Sequence, residues 1–432
     1  MKSSYVRWPS LAPYLAGAAA ARAGDEMSGP AVLLLGFAVT GRPATGSALL
    51  ASATLAGAAG GPVFGALLDR SGRPDRVLAG TLCAYALGIA AVAAAMGRLP
   101  MPLVVTIALA AGLFNPSVAG GWTSQLPRMV TGRELDRGSA LDAMTYSAAS
   151  LAGPALAALV AAGLGARAAV LASAALVAMA MPAACSLSRY RPSLTASSVP
   201  APHRQIAAGF AAIATRRPLL RATLTSVVSY AGIGMLIVCC PVLGAQRLGA
   251  PSRGALLISA VAAASLVANA ILARRPPRGE PDVRVLASTV IIGVSMAAAA
   301  VAPGWLTLAA VALSGAGEGP QLTALFAVRH RESPEHMRGQ IYTTAASLKI
   351  AGMAAGAALA GPLAGRSVTA CLLVAATAEL CAAAAYVLAS LSPGGPAPAW
   401  RPRTGAAGCA AGRSESGTRV GGRAGDTMNR SE

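Results

Sequence analysis

Apolar residues in this chain come in long stretches separated by short breaks rich in arginine, proline and glycine. A helix needs about 20 predominantly apolar residues to cross the hydrocarbon core of a bilayer. Such windows fall at 11–39, 45–68, 77–97, 101–124, 140–163, 166–187, 219–245, 254–273, 283–302, 305–328, 340–363 and 367–391, twelve in all. Lipid offers no partner to a free backbone N–H or C=O, so stretches of this length must be helices. The alternating segments of a membrane β-barrel are absent. The pattern predicts an all-α integral membrane protein with twelve transmembrane helices.

Composition excludes the main rivals. Of 432 residues, 55% are hydrophobic and only 12% charged, against about a quarter charged in a soluble domain. The net charge of +19 would suggest nucleic acid on a soluble protein. Here the arginines cluster in the breaks and the tail, with no interleaved aromatic residues and no basic stripe, so no nucleic-acid partner is expected. Their placement instead fixes an orientation. The N-terminus, the even-numbered loops and the tail receive 27 basic residues and the other side receives 6. This puts both termini in the cytoplasm of a multi-pass protein of the cytoplasmic (inner) membrane. Cys83, Cys239, Cys240, Cys371 and Cys381 lie inside apolar runs without metal-ligand spacing, so neither a disulfide framework nor a metal or other cofactor is expected. The apolar N-terminal stretch runs on into the body of the chain, unlike a cleavable signal.

The largest interior break, from Ser188 to about Pro218, divides the chain into a six-helix bundle over 1–187, a cytoplasmic central loop over 188–218 and a second bundle over 219–391. The loop contains a short amphipathic stretch at 205–215. From 392 to 432 the tail is Gly/Pro/Arg/Ser-rich, and a disordered cytoplasmic segment is expected. The halves read as pseudo-repeats. ALAAGLFNP (108–116), Arg137-Gly138 and Gly153-Pro154 are echoed by ALSGAGEGP (312–320), Arg338-Gly339 and Gly361-Pro362, with Pro116 and Pro320 separated by 204 positions. Duplicated helical units place a site at the midplane between repeats in many transporters.

At the end of the second window stands GALLDRSGR, residues 65–73. Gly65 allows a close helix approach. Asp69 sits at the membrane edge, where a carboxylate can face a neighbouring helix N-terminus. Arg70 and Arg73 can meet acidic groups such as Glu134, Asp136 or Asp142, and Gly72 suits a tight turn. This motif resembles the loop 2–3 signature of the major facilitator superfamily, and the resemblance covers residues 11–391. It implies a twelve-helix fold of two six-helix pseudo-repeats. By the same resemblance, Gly65, Asp69, Arg70, Gly72 and Arg73 form a latch that holds one access state. Pro74 replaces a basic residue of the family pattern, and the equivalent loop ARRPPRGEPD has lost the motif, so the latch is one-sided. Gly153-Pro154 resembles a Gly-Pro motif of the family's exporters, although position 149 is Ala. As a plain helix kink it has the same form as Gly361-Pro362. Ala108 stands where the family often has a buried Arg, which removes coupling through that residue.

Ionisable residues inside spans mark functional candidates. Arg22, Asp25 and Glu26 share one face of the first helix by their spacing. Two readings stand: a self-neutralising ion cluster that helps assemble the bundle, or a set that leaves one carboxylate free to carry a proton or bind a cation. Gly29-Pro30 interrupts the same helix, and Gly232, Gly234 and Pro241 interrupt the seventh. Glu318 lies near the middle of the tenth window and Asn115 in the matching region of the fourth. In the family, helices one, four, seven and ten line the cavity, which implies a substrate and proton-coupling set of Arg22, Asp25, Glu26, Asn115 and Glu318. Lys349 and Glu379 are expected to form a structural pair.

The sequence expectation is a secondary active transporter that moves a small organic solute by alternating access. Proton-coupled efflux of a drug-like or secondary-metabolite compound fits the small, apolar walls. Its partners are the solute, protons and the lipid bilayer, and the chain is expected to act as a monomer. Uptake of a small metabolite is the alternative within the fold, and a non-transporting scaffold or sensor the alternative in another class. No H-E-x-x-H, paired-cysteine or phosphate-binding motif supports an enzyme.

Overall fold

The computed structural model describes residues 11–130, 132–187, 202–250, 253–275 and 279–391. Among them there are helices and turns but no strands. The expected disordered tail and the first part of the central loop lie outside the described residues.

The helices are α1 (Ala12–Thr40), α2 (Pro43–Arg70), α3 (Pro74–Ala95), α4 (Met101–Gly112), α5 (Leu126–Met129), α6 (Arg133–Leu164), α7 (Ala166–Met179), α8 (Met181–Ser186), α9 (Pro202–Thr215), α10 (Arg217–Leu248), α11 (Gly254–Arg274), α12 (Pro281–Val301), α13 (Leu306–Glu332), α14 (Arg338–Arg366) and α15 (Val368–Leu391). The sequence breaks act as punctuation. Proline begins α2, α3 and α12, where a missing N–H costs nothing. The left-handed Gly41 (φ 66°) ends α1 and donates back to the Phe37 carbonyl, a conformation that favours glycine.

Two of the expected spans are interrupted. After Asn115, Pro116 cannot donate to the helical ladder, and the chain resumes through a wider π turn at Ser117–Gly121. The sixth window divides into α7 and α8 beside Pro182. Ten helical stretches among the described residues are long and apolar enough to cross a membrane. The other two expected spans, α1 and α13, have 29 and 27 residues but carry the polar groups discussed below. The amphipathic stretch of the central loop is α9.

The apolar cores are separate. One is built from residues between Leu11 and Leu187, with Trp122 and Tyr14 at its heart. Others lie between Ile233 and Ala376 and around Ala222, Val285 and Tyr386. Within each half, glycine lets helices touch. A Cβ on Gly153 of α6 would come within 2.6 Å of Glu26 on α1, and one on Gly356 of α14 within 1.9 Å of the Ala231 carbonyl on α10. Each contact packs a long helix against the first helix of its own half. Gly361, the expected counterpart of Gly153, has nothing within 4 Å. The Gly-Pro echo is therefore a likeness of sequence without a likeness of packing, and α6 and α14 run continuously through Pro154 and Pro362.

Candidate functional site

The one fully enclosed charge of α1, Arg22, joins that helix to α6. Arg22 is 2% exposed and Asp142 on α6 is fully buried. Arg22 Nη1 donates to Asp142 Oδ1 at 2.9 Å and to the Asp142 carbonyl at 2.8 Å. It also donates to Thr145 Oγ1, while Nη2 reaches Thr123 Oγ1 at 2.9 Å. Tyr14 and Thr123 hydroxyls complete the Asp142 carboxylate at 2.9 and 2.8 Å. The Tyr146 ring lies 3.6 Å from the guanidinium carbon. Spacing within α1 suggested that Arg22 neutralises Asp25 or Glu26. Its partner is instead Asp142, which was also an expected partner of the loop arginines Arg70 and Arg73. A buried cation takes the carboxylate that can be buried with it, and α6 supplies one.

Asp25 is held differently. Tyr85 Oη donates to its Oδ1 at 2.5 Å and Asn115 Nδ2 to the same oxygen at 2.6 Å. Asn115 sits where the α4 helix gives way before the π turn, which frees its side chain to point at α1. Glu26 is exposed. Its charge interacts with Lys349 and Glu318 of the other half, so it faces the space between the halves rather than lipid.

The C-terminal half places Glu318 and Lys349 opposite. Both are partly exposed, and each acts electrostatically on the other. The Lys349 ammonium lies 4.0 Å from the Tyr230 ring centroid and 5.3 Å from that of Tyr146, a cation held by aromatic faces. The Tyr230 hydroxyl neighbours Glu318. Lys349 is thus a central residue, with no pairing to Glu379. Tyr85, Tyr146 and Tyr230 escaped the sequence reading, while Asp142 and Lys349 were given other partners. Asp142 carried a signal, as a carboxylate inside the fifth window with Arg22 in need of one, and Lys349 carried one as a charge inside the eleventh.

Beneath this centre the halves are joined. Tyr146, Phe326 and Tyr342 form a chain of tilted rings with centroids 6.2 Å apart. Ser147 and Ser265 hydroxyls meet at 2.8 Å. Ser347 donates to the Gly57 carbonyl at 2.8 Å and accepts from Gly61 N at 3.0 Å. At the far end Asp69 accepts from the backbone N–H groups of Gly339 and Gln340, both at 2.8 Å. A carboxylate here caps the start of α14 and sits at the positive end of its dipole. The charges of Arg128 and Arg338 also act on it. Burial on the short α5 pushes the Arg128 guanidinium below its usual value, with Asp69 opposing the shift.

Gly65 is indispensable to this contact, because a Cβ there would lie 2.1 Å from Thr343 Oγ1 and 2.4 Å from Gln340 Cα. Gly72 is exposed with nothing within 4 Å, and its φ is not positive, so the turn does not require a glycine there. Arg73 contributes its backbone N–H to Ser71 Oγ at 3.0 Å. Gln340 Nε2 bonds the Ile206 carbonyl at 3.0 Å, which ties α9 to the same end.

Comparison with known proteins places the chain in a family. The sequence model of the Major Facilitator Superfamily matches residues 14–357. An uncharacterized MFS-type transporter of Sinorhizobium fredii is 29% identical over 388 residues, covering 87% of this chain and 94% of that protein. Among solved structures, the human organic anion transporter MFSD10 superposes with a TM-score of 0.72 at 14% identity, covering 88% of this chain and 100% of that one. A bacterial homologue of the iron transporter ferroportin, in its outward-facing state, gives 0.71 at 16% identity over 88% and 99%.

Proposed function

The chain belongs to the Major Facilitator Superfamily, which points to a membrane transporter rather than an enzyme, and we propose that it moves a small organic solute by alternating access in exchange for protons. The observation that carries this reading is the set of charges facing one another across the two halves. Glu26 stands on one side and Glu318 with Lys349 on the other, with no direct ion pair to hold them together. Intramembrane charges persist where a watered path receives them or a ligand completes them. Glu318 and Glu26 carry the exchangeable charge. Asp25, bound by Tyr85 and Asn115, positions the N-terminal wall, and Arg22 locks that wall to α6.

In this reading the transporter is closed at the Asp69 end. There the carboxylate cap on α14, the Ser347 contacts and the aromatic rings bridge bundles 1–187 and 219–391. Basic residues concentrate at that end, which we take as cytoplasmic, in the inner membrane and with both termini inside. The centre then opens outward. A mostly apolar pocket within the N-terminal bundle, lined by residues including Ser28, Val32, Leu50, Tyr85 and Gly112, adjoins the Asp25 group. An apolar pocket beside a cluster of charges and tyrosine rings suits an amphiphilic drug-like or secondary-metabolite compound, exported by a monomer.

Efflux of dyes and antibiotics from cells producing the protein, with and without a proton uncoupler, tests the reading. Extrusion that stops with the uncoupler and in Glu318→Gln supports it. Accumulation inside the cell indicates uptake, and no altered flux of any solute in Glu318→Gln indicates a scaffold.

A further inference from the structure

The C-terminal half holds another carboxylate that the central site does not use. Glu379, within α15, is completely buried. Its Oε2 accepts from Ser229 Oγ of α10 at 2.8 Å, and Ser229 accepts from Gln321 Nε2 of α13 at 2.9 Å. Gln321 also donates to Thr289 Oγ1 of α12 at 2.9 Å. Glu379 Oε1 has no hydrogen-bond partner. Gly232 of α10, with the Met296 thioether beside it, lies against Oε1, and Gly293 of α12 lies against the Glu379 Cβ.

No cation answers it. Among the described residues Glu379 takes part in no ion pair. On α10 Tyr230, beside Ser229 in sequence, is turned toward Glu318. Of the charged residues of α12, Asp282 pairs with Arg221 and Arg331 at the end of that helix, and Arg284 lies beside it in sequence. On α14, Lys349 acts on Glu318 and Glu26. The charge that reaches Glu379 is that of Glu318 on α13, and it is of like sign. An ionised carboxylate enclosed by one hydroxyl and apolar surface is far costlier than its neutral acid.

We infer that Glu379 binds a proton, as an off-axis proton site in the C-terminal half that Ser229 and Gln321 seal from the central opening. Gln321 lies one turn beyond Glu318 on α13, so a displacement of Glu318 on binding a proton or solute moves the seal. Glu379 then exchanges its proton with water entering from the centre, and the two carboxyls ionise one at a time. As a second coupling carboxyl this site rests on the proposed proton exchange. As a proton site it does not.

Infrared spectroscopy of the full chain in lipid nanodiscs, with protons and deuterons as the only probes, tests it. At neutral pH the wild type shows the C=O stretch of a protonated carboxylic acid that is lost in Glu379→Gln. Ser229→Ala moves the same band to higher frequency, and this decides the question should Glu379→Gln fail to fold. In heavy water, Gln321→Ala speeds the deuterium shift of the band. The inference is overturned by a carboxyl region identical in wild type and Glu379→Gln, or by a band unmoved in Ser229→Ala. Loss of the band on adding sodium at constant pH overturns it as well, since the occupant is then a metal cation. Equal exchange rates in wild type and Gln321→Ala overturn the seal. Solute flux independent of protons, with the band intact, defeats the transport reading alone.

Discussion

The two halves repeat one helical plan but treat their buried charges in opposite ways. In the N-terminal half Arg22 and Asp142 make a direct pair completed by Tyr14, Thr123 and Thr145, and Asp25 is satisfied by Tyr85 and Asn115. In the C-terminal half Glu318 and Lys349 lean on tyrosine rings and hydroxyls, while Glu379 has a single hydroxyl donor. A charge locked by several short bonds stays in one protonation state. A charge held loosely responds to whatever enters. The contrast assigns rigidity to Arg22, Asp25 and Asp142 of the first half and responsiveness to the second, with the exposed Glu26 facing that responsive side.

The largest expected effect falls on the locked side. Asp142→Ala leaves Arg22 buried without its counter-charge, which costs about 3–5 kcal/mol. Thermal unfolding in detergent should show this as a large drop in midpoint or loss of folded protein. A drop no greater than that of Glu280→Ala, in the exposed pair with Arg331, would erase the contrast. Next is the joint between the halves. Gly65→Ala drives a methyl into Thr343 and Gln340 and costs about 1–3 kcal/mol of the closed state. A cysteine replacing Ser347 should then react faster with a thiol reagent in a background freed of native cysteines. Asp69→Ala removes two caps from α14, worth about 1–2 kcal/mol in total, and should raise the same reactivity by a smaller factor. Unchanged labelling in both variants would remove the latch from the account. The smallest stability effect is expected for Glu318→Gln, within about 1 kcal/mol, because no ion pair is broken. A loss comparable with Asp142→Ala would show that the second half is locked too.

These regions also differ in how far the sequence revealed them. All twelve windows coincide with helical stretches because lipid-crossing length and Arg-rich breaks are local properties. The spacing of Gly65 and Asp69 pointed at a helix contact and a helix N-terminus, and both residues meet the start of α14. Partnership across helices was not legible. Arg22 is three and four residues from carboxylates on its own helix yet pairs with Asp142, 120 positions away, because burial favours the enclosed partner over the accessible Glu26. Lys349 and Glu379 looked like a pair from their depth alone, but depth carries no azimuth. They face different neighbours around their helices. The Gly361-Pro362 echo misled because proline is conspicuous in a sequence, whereas Gly356, which makes the packing contact, is one of many glycines.

The central claim is that the charge of Glu318 sets which end of the transporter is open. Electron-spin distance measurements between labels at the exposed positions 76 and 335, at the Asp69 end, and 42 and 366, at the opposite end, report this without a known solute. Lowering the pH should shift the wild-type distance populations at both ends in opposite directions, and Glu318→Gln should show the low-pH populations at every pH. A variant that keeps the full wild-type pH response would contradict the account.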